Sequence, residues 1–308
     1  LTDKKITLSV ELVTKNAWEN SLVTQLDEIP FHYVGKGEQC VVKTELALAK
    51  RTSQNASIIL LEEPENHLSH TRLNQLIKCI SEQYVEKQIL ISTHSSFVTN
   101  KLGLGKVMLL DNLRITKFSE LSEDTYNFFK KVAGYDTLRM ILCKKAILCE
   151  GDSDELVIQK AYMQLNDGHL PIEDGIEVIS VGVSFLRFLE IADCIQKKIA
   201  VVTDNDGDMD AINKKYENYL GVNQKDYIKI CVDDVVDTGT LKIGRSAYNY
   251  NTLEPKLLKV NGLDKLNRIF GTNYMDEDDL RKYMKHNKTE CGLKIFEYPE
   301  QVEIPEYI

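Results

Sequence analysis

The chain has 308 residues, a formal net charge of −9 and a pI near 5.3, with 43% hydrophobic and 28% charged residues. That balance excludes an intrinsically disordered chain and leaves room for two domains of ordinary size. No apolar run approaches the roughly 18–20 residues of a membrane-spanning helix, so no membrane is expected among its partners.

The acidity is uneven. Residues 1–120 carry 14 basic and 14 acidic side chains, whereas residues 121–308 carry 24 basic and 33 acidic ones. Bulk charge of this sign argues against a nucleic-acid partner, because non-specific DNA binding rests on Lys and Arg neutralising phosphates. Clustered carboxylates offer another route, holding divalent metals that in turn hold phosphates. A surface kept acidic for solubility is the plainer alternative. The seven cysteines stand singly, with no CxxC pair and no Cys/His zinc spacing. That pattern fits a reducing, cytoplasmic compartment. The first residue is Leu1 rather than Met and no signal peptide is visible, so the sequence reads as a fragment or processed piece.

In chain order, Val34-Gly35-Lys36-Gly37-Glu38-Gln39 leads into a helix through Val41, Leu46 and Leu48. Glycines ahead of a helix free backbone N–H groups for an anion, and the helix dipole adds to the attraction. Ile58-Ile-Leu-Leu is a continuous apolar run and predicts a buried parallel strand. It ends in Glu62-Glu63-Pro64-Glu65-Asn66-His67-Leu68. Residues 69–86 have helical periodicity, 88–91 and 107–110 read as further strands, and strand–helix–strand order predicts a parallel α/β sheet. Ile91-Ser-Thr-His94 puts a histidine at the carboxyl edge of that sheet, where open α/β sheets bind ligands. Taken singly, the glycine turn, the two glutamates and the histidine are equally a plain turn, a solvated strand end and a hydrogen-bonded structural histidine.

Residues 121–142 read as helical. The α/β pattern then restarts, with strands at 146–149, 176–181 and 199–203 and helices at 154–165 and 185–196. From about 252 the chain is mostly helical. The expected organisation is therefore a domain over 1–120, a helical connector over 121–144 and a second domain over 145–308. In the second domain Cys149-Glu150-Gly151-Asp152-Ser153-Asp154 follows one strand, and Thr203-Asp204-Asn205-Asp206-Gly207-Asp208 follows another. Asp154 sits four residues after Glu150 and folds back toward it at a helix start. In an extended Asp-x-Asp both carboxylates lie on one face. Like charges so close are costly unless a cation sits between them, and hard oxygen donors favour Mg²⁺ or Mn²⁺. A calcium loop is disfavoured, because position 12 from Asp204 is Lys215 and the leading flank is a strand. A surface acidic turn stays open.

Together these motifs resemble an ABC-type ATPase head joined to a TOPRIM domain. Gly35–Gln39 looks like the signature motif, Leu60–Glu63 like the Walker B strand, Glu65–Leu68 like the D-loop and His94 like the switch histidine. Glu-Gly after one strand and Asp-x-Asp after another look like TOPRIM, with Val181-Gly182 between. Asn251-Thr-Leu253-Glu254-Pro255 and Asn287-Lys288-Thr289-Glu290 narrow the resemblance to the OLD family of nucleases, which includes the Gabija nuclease subunit.

The resemblance implies an α/β protein in which Gly35, Gly37, Glu38, Gln39, Glu62, Glu63 and His94 serve ATP, with Glu63 as hydrolytic base. It implies two Mg²⁺ or Mn²⁺ ions held by Glu150, Asp154, Asp204, Asp206 and Glu254, with Lys288 on the scissile phosphate. DNA is the implied substrate, and a homo-oligomer, dimer or tetramer, forms through the ATPase part. Antiphage defence in bacteria, alongside a partner defence protein, is the implied setting. No G-x-x-x-x-G-K-[ST] loop is present, so the expectation is an ATPase head whose phosphate loop precedes Leu1. The rival reading is a DNA-repair or chromosome-organising ATPase with a non-cleaving TOPRIM scaffold. Primase or topoisomerase chemistry would need a zinc module or a nucleophilic tyrosine motif, and the sequence shows neither.

Overall fold

The computed structural model describes residues 5–10, 22–49, 56–83, 86–111, 114–118, 121–131 and 137–308. They form two compact units, Leu1–Leu102 and Gly103–Ile308.

The first unit opens with β1 (Ile6–Val10), β2 (Leu22–Leu26) and β3 (Ile29–Pro30), an antiparallel sheet that sequence reading did not anticipate. Asp27 and Glu28 between β2 and β3 both have positive φ, the geometry of a two-residue hairpin turn. Helix α1 (Lys36–Ala49) follows, then β4 (Ile58–Glu62), α2 (His70–Gln83), β5 (Gln88–Ser92) and the short α3 (Ser96–Leu102). Strands β4 and β5 are parallel, with Ile58 opposite Gln88 and Glu62 opposite Ser92. Leu48, Ile59, Leu76 and Ile80 make the core beneath them. The apolar run predicts a strand buried on both faces, but only Ile59 is buried in β4; Ile58 and Leu60 are 52% and 73% exposed. Side chains alternate across a strand, and among the described residues only one face of this pair carries a layer.

The predicted strand at 107–110 also differs. It forms as β6 (Met108–Asp111), but pairs antiparallel with β7 (Arg114–Lys117) and lies in the second unit. Two residues separate β6 from β7, and a parallel crossover needs a dozen or more. Helices α4 (Glu123–Lys131) and α5 (Thr137–Leu142) lead to β8 (Lys145–Cys149), α6 (Asp152–Leu165), β9 (Ile176–Ser180), α7 (Phe185–Ile195) and β10 (Lys198–Val202). Next come α8 (Met209–Lys215), β11 (Ile228–Cys231) and a two-stranded ribbon of β12 (Lys242–Ile243) and β13 (Ser246–Ala247). Helices α9 (Leu253–Asn261), α10 (Leu263–Phe270), α11 (Glu277–His286) and α12 (Lys288–Glu297) complete the unit.

The central sheet has the order β11-β10-β8-β9 and is parallel throughout. Strand β8 shows why it is buried on both sides. Ala146 and Leu148 enter a core with Phe185, Phe188, Leu189 and Ile191, while Cys149 enters one with Ile158, Val178 and Val202. The order reverses at β8, which is flanked by β9 on one side and β10 on the other, so the crevice at their carboxyl ends is the expected ligand site of an open sheet. The C-terminal helices close on α6. A Cβ added to Gly292 would stand 3.0 Å from the Ser153 Cα, so α12 crosses the first turn of α6 at a spot that admits only glycine without a shift. Among the described residues no helix is long and apolar enough to cross a membrane.

Candidate functional site

The carboxyl ends of β8 and β10 place Glu150 and Asp204 side by side. The ladder pairs Lys145 with Lys198 and Leu148 with Val201, so its continuation sets Glu150 opposite Thr203. Accordingly the buried Thr203 hydroxyl donates to Glu150 Oε1 at 2.8 Å. The Glu150 carbonyl accepts from Gly182 N–H at 3.1 Å, and Gly182 takes positive φ there, so the turn after β9 does need a glycine.

Asp154 lies in the first turn of α6, where its Oδ2 accepts the Gly151 N–H at 3.1 Å. Gly151 itself has a φ of −146°, extended backbone that any residue adopts. Burial, together with the charges of Glu150 and Glu254, pushes the Asp154 carboxyl up to about 6. Burial also raises Asp204, to about 8, and Asp154, Glu150, Glu254 and Asp206 add to the rise. Five carboxylates therefore act on one space.

Glu254, in the first turn of α9, is 3% exposed. Its Oε2 accepts from Thr252 at 3.1 Å and from Lys288 Nζ at 3.0 Å. Its Oε1 also lies 3.0 Å from that ammonium but accepts no well-oriented hydrogen bond. Burial works against the Lys288 charge, but Glu254, Asp204 and Asp154 outweigh it and hold the ammonium above its ordinary value. Lys288 starts α12, so the structure brings this last motif to the cluster.

Asp206 departs from the extended Asp-x-Asp expected of it. Strand β10 ends at Val202, Asp206 has φ of 50°, and its exposed carboxylate accepts from Asn249 Nδ2 at 2.7 Å. The residue between the aspartates explains the bend. Asn205 is buried, donates to the carbonyls of Asp233 and Val235 and accepts the Gly207 N–H, so it is spent on holding the loop. Sequence reasoning also missed Tyr307, whose hydroxyl donates to Asp204 Oδ1 at 3.3 Å from the last turn of the chain.

The donors are all hard oxygens, and one buried carboxylate oxygen of Glu254 lacks a hydrogen bond, so the set suits a divalent cation. The side chains ring the space without converging: among the described residues, no three Asp, Glu, His or Cys are arranged to hold one ion as they stand.

The first unit gathers its own candidates. Glu63, just past β4 with φ of 41°, has its Oε1 3.4 Å from His94 Nε2 and its Oε2 bonded to Asn66. Glu65 Oε1 accepts from the Thr93 hydroxyl and the His94 N–H, tying the two loops together. Glu62 ends β4 exposed. Gly37 lies in the first turn of α1, and an added Cβ would stand 2.4 Å from the His67 carbonyl oxygen. Gly35 meets open space. Glu38 is 3.7 Å from Arg72, and Gln39 is buried with its amide on the Val34 carbonyl. Glu63 and His94 thus meet, whereas Gln39 is turned to its own backbone.

Comparison with known proteins agrees with this division. Residues 141–206 match the TOPRIM-domain model of Overcoming lysogenization defect protein-like proteins. Residues 23–100 match an AAA-domain model described for the AbiEii toxin of Type IV TA systems. No curated protein matches the chain. Among solved structures, the C-terminal region of the Xanthomonas campestris pv. campestris OLD protein is similar at 16% identity and a TM-score of 0.38, covering 55% of this chain and 90% of that one. A structure from work on ATP-driven dimerization and DNA-stimulated activation of SMC ATPases is similar at 13% identity and a TM-score of 0.30, covering 43% of this chain and 83% of that one.

Proposed function

Because this chain is an OLD-family ATPase–TOPRIM protein, we propose that its second unit is a metal-dependent DNA endonuclease and its first unit an ATPase element that regulates it. The observation that carries the reading is the crowding of Glu150, Asp154, Asp204 and Glu254 at one sheet edge, where burial and mutual repulsion hold two of the carboxyls well above their ordinary values. A fold does not keep such a set for stability, since each like charge in a desolvated site weakens the others.

Glu150, Asp204 and Asp206 would hold one Mg²⁺ or Mn²⁺, and Asp154 and Glu254 a second. Bound there, the ions supply Lewis-acid polarisation of a phosphodiester and a water of lowered pKa. Thr203 fixes one Glu150 oxygen and leaves the other for a ligand. Tyr307 does the same for Asp204. Lys288, already on Glu254, offsets charge gathering on phosphate. In the first unit, Glu63 and His94, 3.4 Å apart, would act on a nucleotide and its attacking water. We assign the protein to the bacterial cytoplasm, in antiphage defence, as a homo-oligomer formed through its ATPase part.

The test is nicking of supercoiled plasmid in Mg²⁺ or Mn²⁺. Glu150→Ala and Asp204→Ala should each abolish it. Metal-free Asp204→Asn should melt about 2–4 °C above the parent, the equivalent of about 1 kcal/mol in a unit of this size, because it removes a carboxyl that burial and its acidic neighbours disfavour. A parent that binds DNA and never cuts, or two alanine variants that still nick, would overturn the nuclease reading in favour of a TOPRIM scaffold.

A further inference from the structure

The candidate site is acidic, so DNA must be gripped by something beside it. In a chain with 47 acidic residues in 308, residues 238–253 contain none. This stretch forms the β12–β13 ribbon and runs directly into the cluster. Lys242 pairs with Ala247 and Ile243 with Ser246, which leaves Gly244 and Arg245 as a two-residue turn. Gly244 has φ of 62° at the first turn position, as a type II′ hairpin asks, so Arg245 is presented at the tip. Lys242, Gly244, Arg245, Ser246 and Ala247 are all exposed. Among the described residues neither Lys242 nor Arg245 has an acidic partner within ion-pair distance.

The base of the ribbon is well packed. Tyr248 is buried and donates its N–H to the Leu241 carbonyl, and the Tyr250 hydroxyl accepts from Leu241 N–H. The two rings meet edge to face at 5.1 Å. Helix α11 caps them, with Arg281 over Tyr250 at 5.3 Å and Lys285 over Tyr248 at 5.8 Å. Immediately after the rings, Asn249 holds Asp206 and Asn251 accepts the Asp237 N–H. Asn249 follows Arg245 by four positions, so their Cα atoms are at most about 14 Å apart. At about 3.4 Å of duplex axis per base step that is about four base pairs.

We propose that the Lys242–Ala247 ribbon is a DNA-backbone contact that seats the duplex beside the carboxylate cluster, with Lys242 and Arg245 on phosphates. The inference rests on the nuclease reading and adds the surface that supplies affinity. A two-stranded ribbon fits a DNA groove, and guanidinium matches phosphate geometry. The division of labour follows from charge: a cationic finger binds phosphates that flank the cut, while the acidic centre stays free for metal.

The test is binding of a fluorescein-labelled random-sequence duplex by the full chain, at fixed low Ca²⁺, across salt concentrations. Removing one cation from a phosphate makes the slope of log affinity against log salt shallower by about 0.9. The Lys242→Ala/Arg245→Ala variant should therefore bind more weakly and show a slope shallower by about 1.8. Lys145→Ala/Lys198→Ala removes the same charge from the opposite end of the sheet and should leave the slope unchanged. Equal slopes for parent and ribbon variant, an equal drop in the control pair, or a parent with no salt-dependent binding would each overturn the proposal. Plasmid nicking by the parent separates the two readings. A parent that binds through the ribbon without cutting refutes the nuclease and leaves the ribbon's role standing.

Discussion

Lys256 is the sharpest place to test how the candidate site is held. The side chain is 3% exposed, and its ammonium meets Asp233 Oδ2, Asp237 Oδ2 and the Val235 carbonyl, each at 2.7 Å. It stands two positions after Glu254, and its partners lie in the loop that also takes both donors of Asn205. One cation thus ties the helix bearing Glu254 to the 233–237 loop, which Asn205 in turn joins to the turn bearing Asp204 and Asp206. Replacing it by Met keeps the packing volume and strands two carboxylates. Breaking a buried pair from one side costs about 3–5 kcal/mol. Asp237 keeps Lys259 at 2.7 Å, which argues for the lower end. For a unit of this size 1 kcal/mol is about 2–4 °C, so Lys256→Met should lower its melting temperature by roughly 6–12 °C.

The assay is scanning calorimetry of the full chain, following the transition of the second unit. Asp233→Asn/Asp237→Asn added to Lys256→Met should recover much of the loss, because removing both sides of a buried pair is far milder than removing one. The pH dependence has a definite sign. Burial works to raise the Asp237 carboxyl, but Lys256 and Lys259 overcome it and hold it below its ordinary value. Its stabilisation is therefore present above an unfolded pKa near 4 and is lost as pH falls through the lower folded value. Burial works to lower Lys256, but Asp233 and Asp237 leave it raised, so its share is present below an unfolded pKa near 10.4 and is lost only as pH rises through the folded value. The deficit of the Met variant should accordingly be flat from about pH 5 to pH 9 and shrink in acid. A variant that melts within about 2 °C of the parent at pH 7 would refute the claim that this ammonium holds the loop and the helix together.

Two further outcomes follow from single contacts. Thr203→Val removes the donor on Glu150, and a hydrogen bond to a charged group is worth about 1.5–3 kcal/mol, so kcat/KM for nicking should fall by roughly ten- to a hundredfold; Thr203→Ser should restore it, and an undiminished Val variant would show that the hydroxyl does not orient the carboxylate. Gly37→Ala should destabilise the first unit although alanine is favoured in a helix by about 1 kcal/mol, because its Cβ would stand 2.4 Å from the His67 carbonyl, while Gly35→Ala should be neutral; calorimetry of the first transition decides it, and a stabilised Gly37→Ala variant would mean that α1 is free to move away.

What the sequence made legible was local, and the structure shows where locality stops. The β8 and β10 strands and the acids after them were readable because an apolar run, a turn and a carboxylate all fall within about ten residues. Their adjacency followed from parallel topology alone, which sets Glu150 beside Thr203 once the two strands pair. The hydroxyl on Glu150 was therefore implicit in the register, although no spacing rule points to a threonine. Asp206 failed for the opposite reason. Period-2 alternation holds only while a chain stays extended, and Asn205 is drawn away by the carbonyls of Asp233 and Val235, which come 28 and 30 positions later. Tyr307 reaches Asp204 across 103 positions, and Lys288 reaches Glu254 across 34. Lys288 was found only because its motif resembles a family, whereas Tyr307 had no such help. The apolar run at β4 teaches the converse. Burial on both faces depends on what covers the strand, and Ile58 and Leu60 look the same in sequence whether or not a second layer is there. The acids that signal chemistry are thus readable from the chain, while the neutral groups that aim them, Thr203, Asn205, Asn249 and Tyr307, belong to the fold.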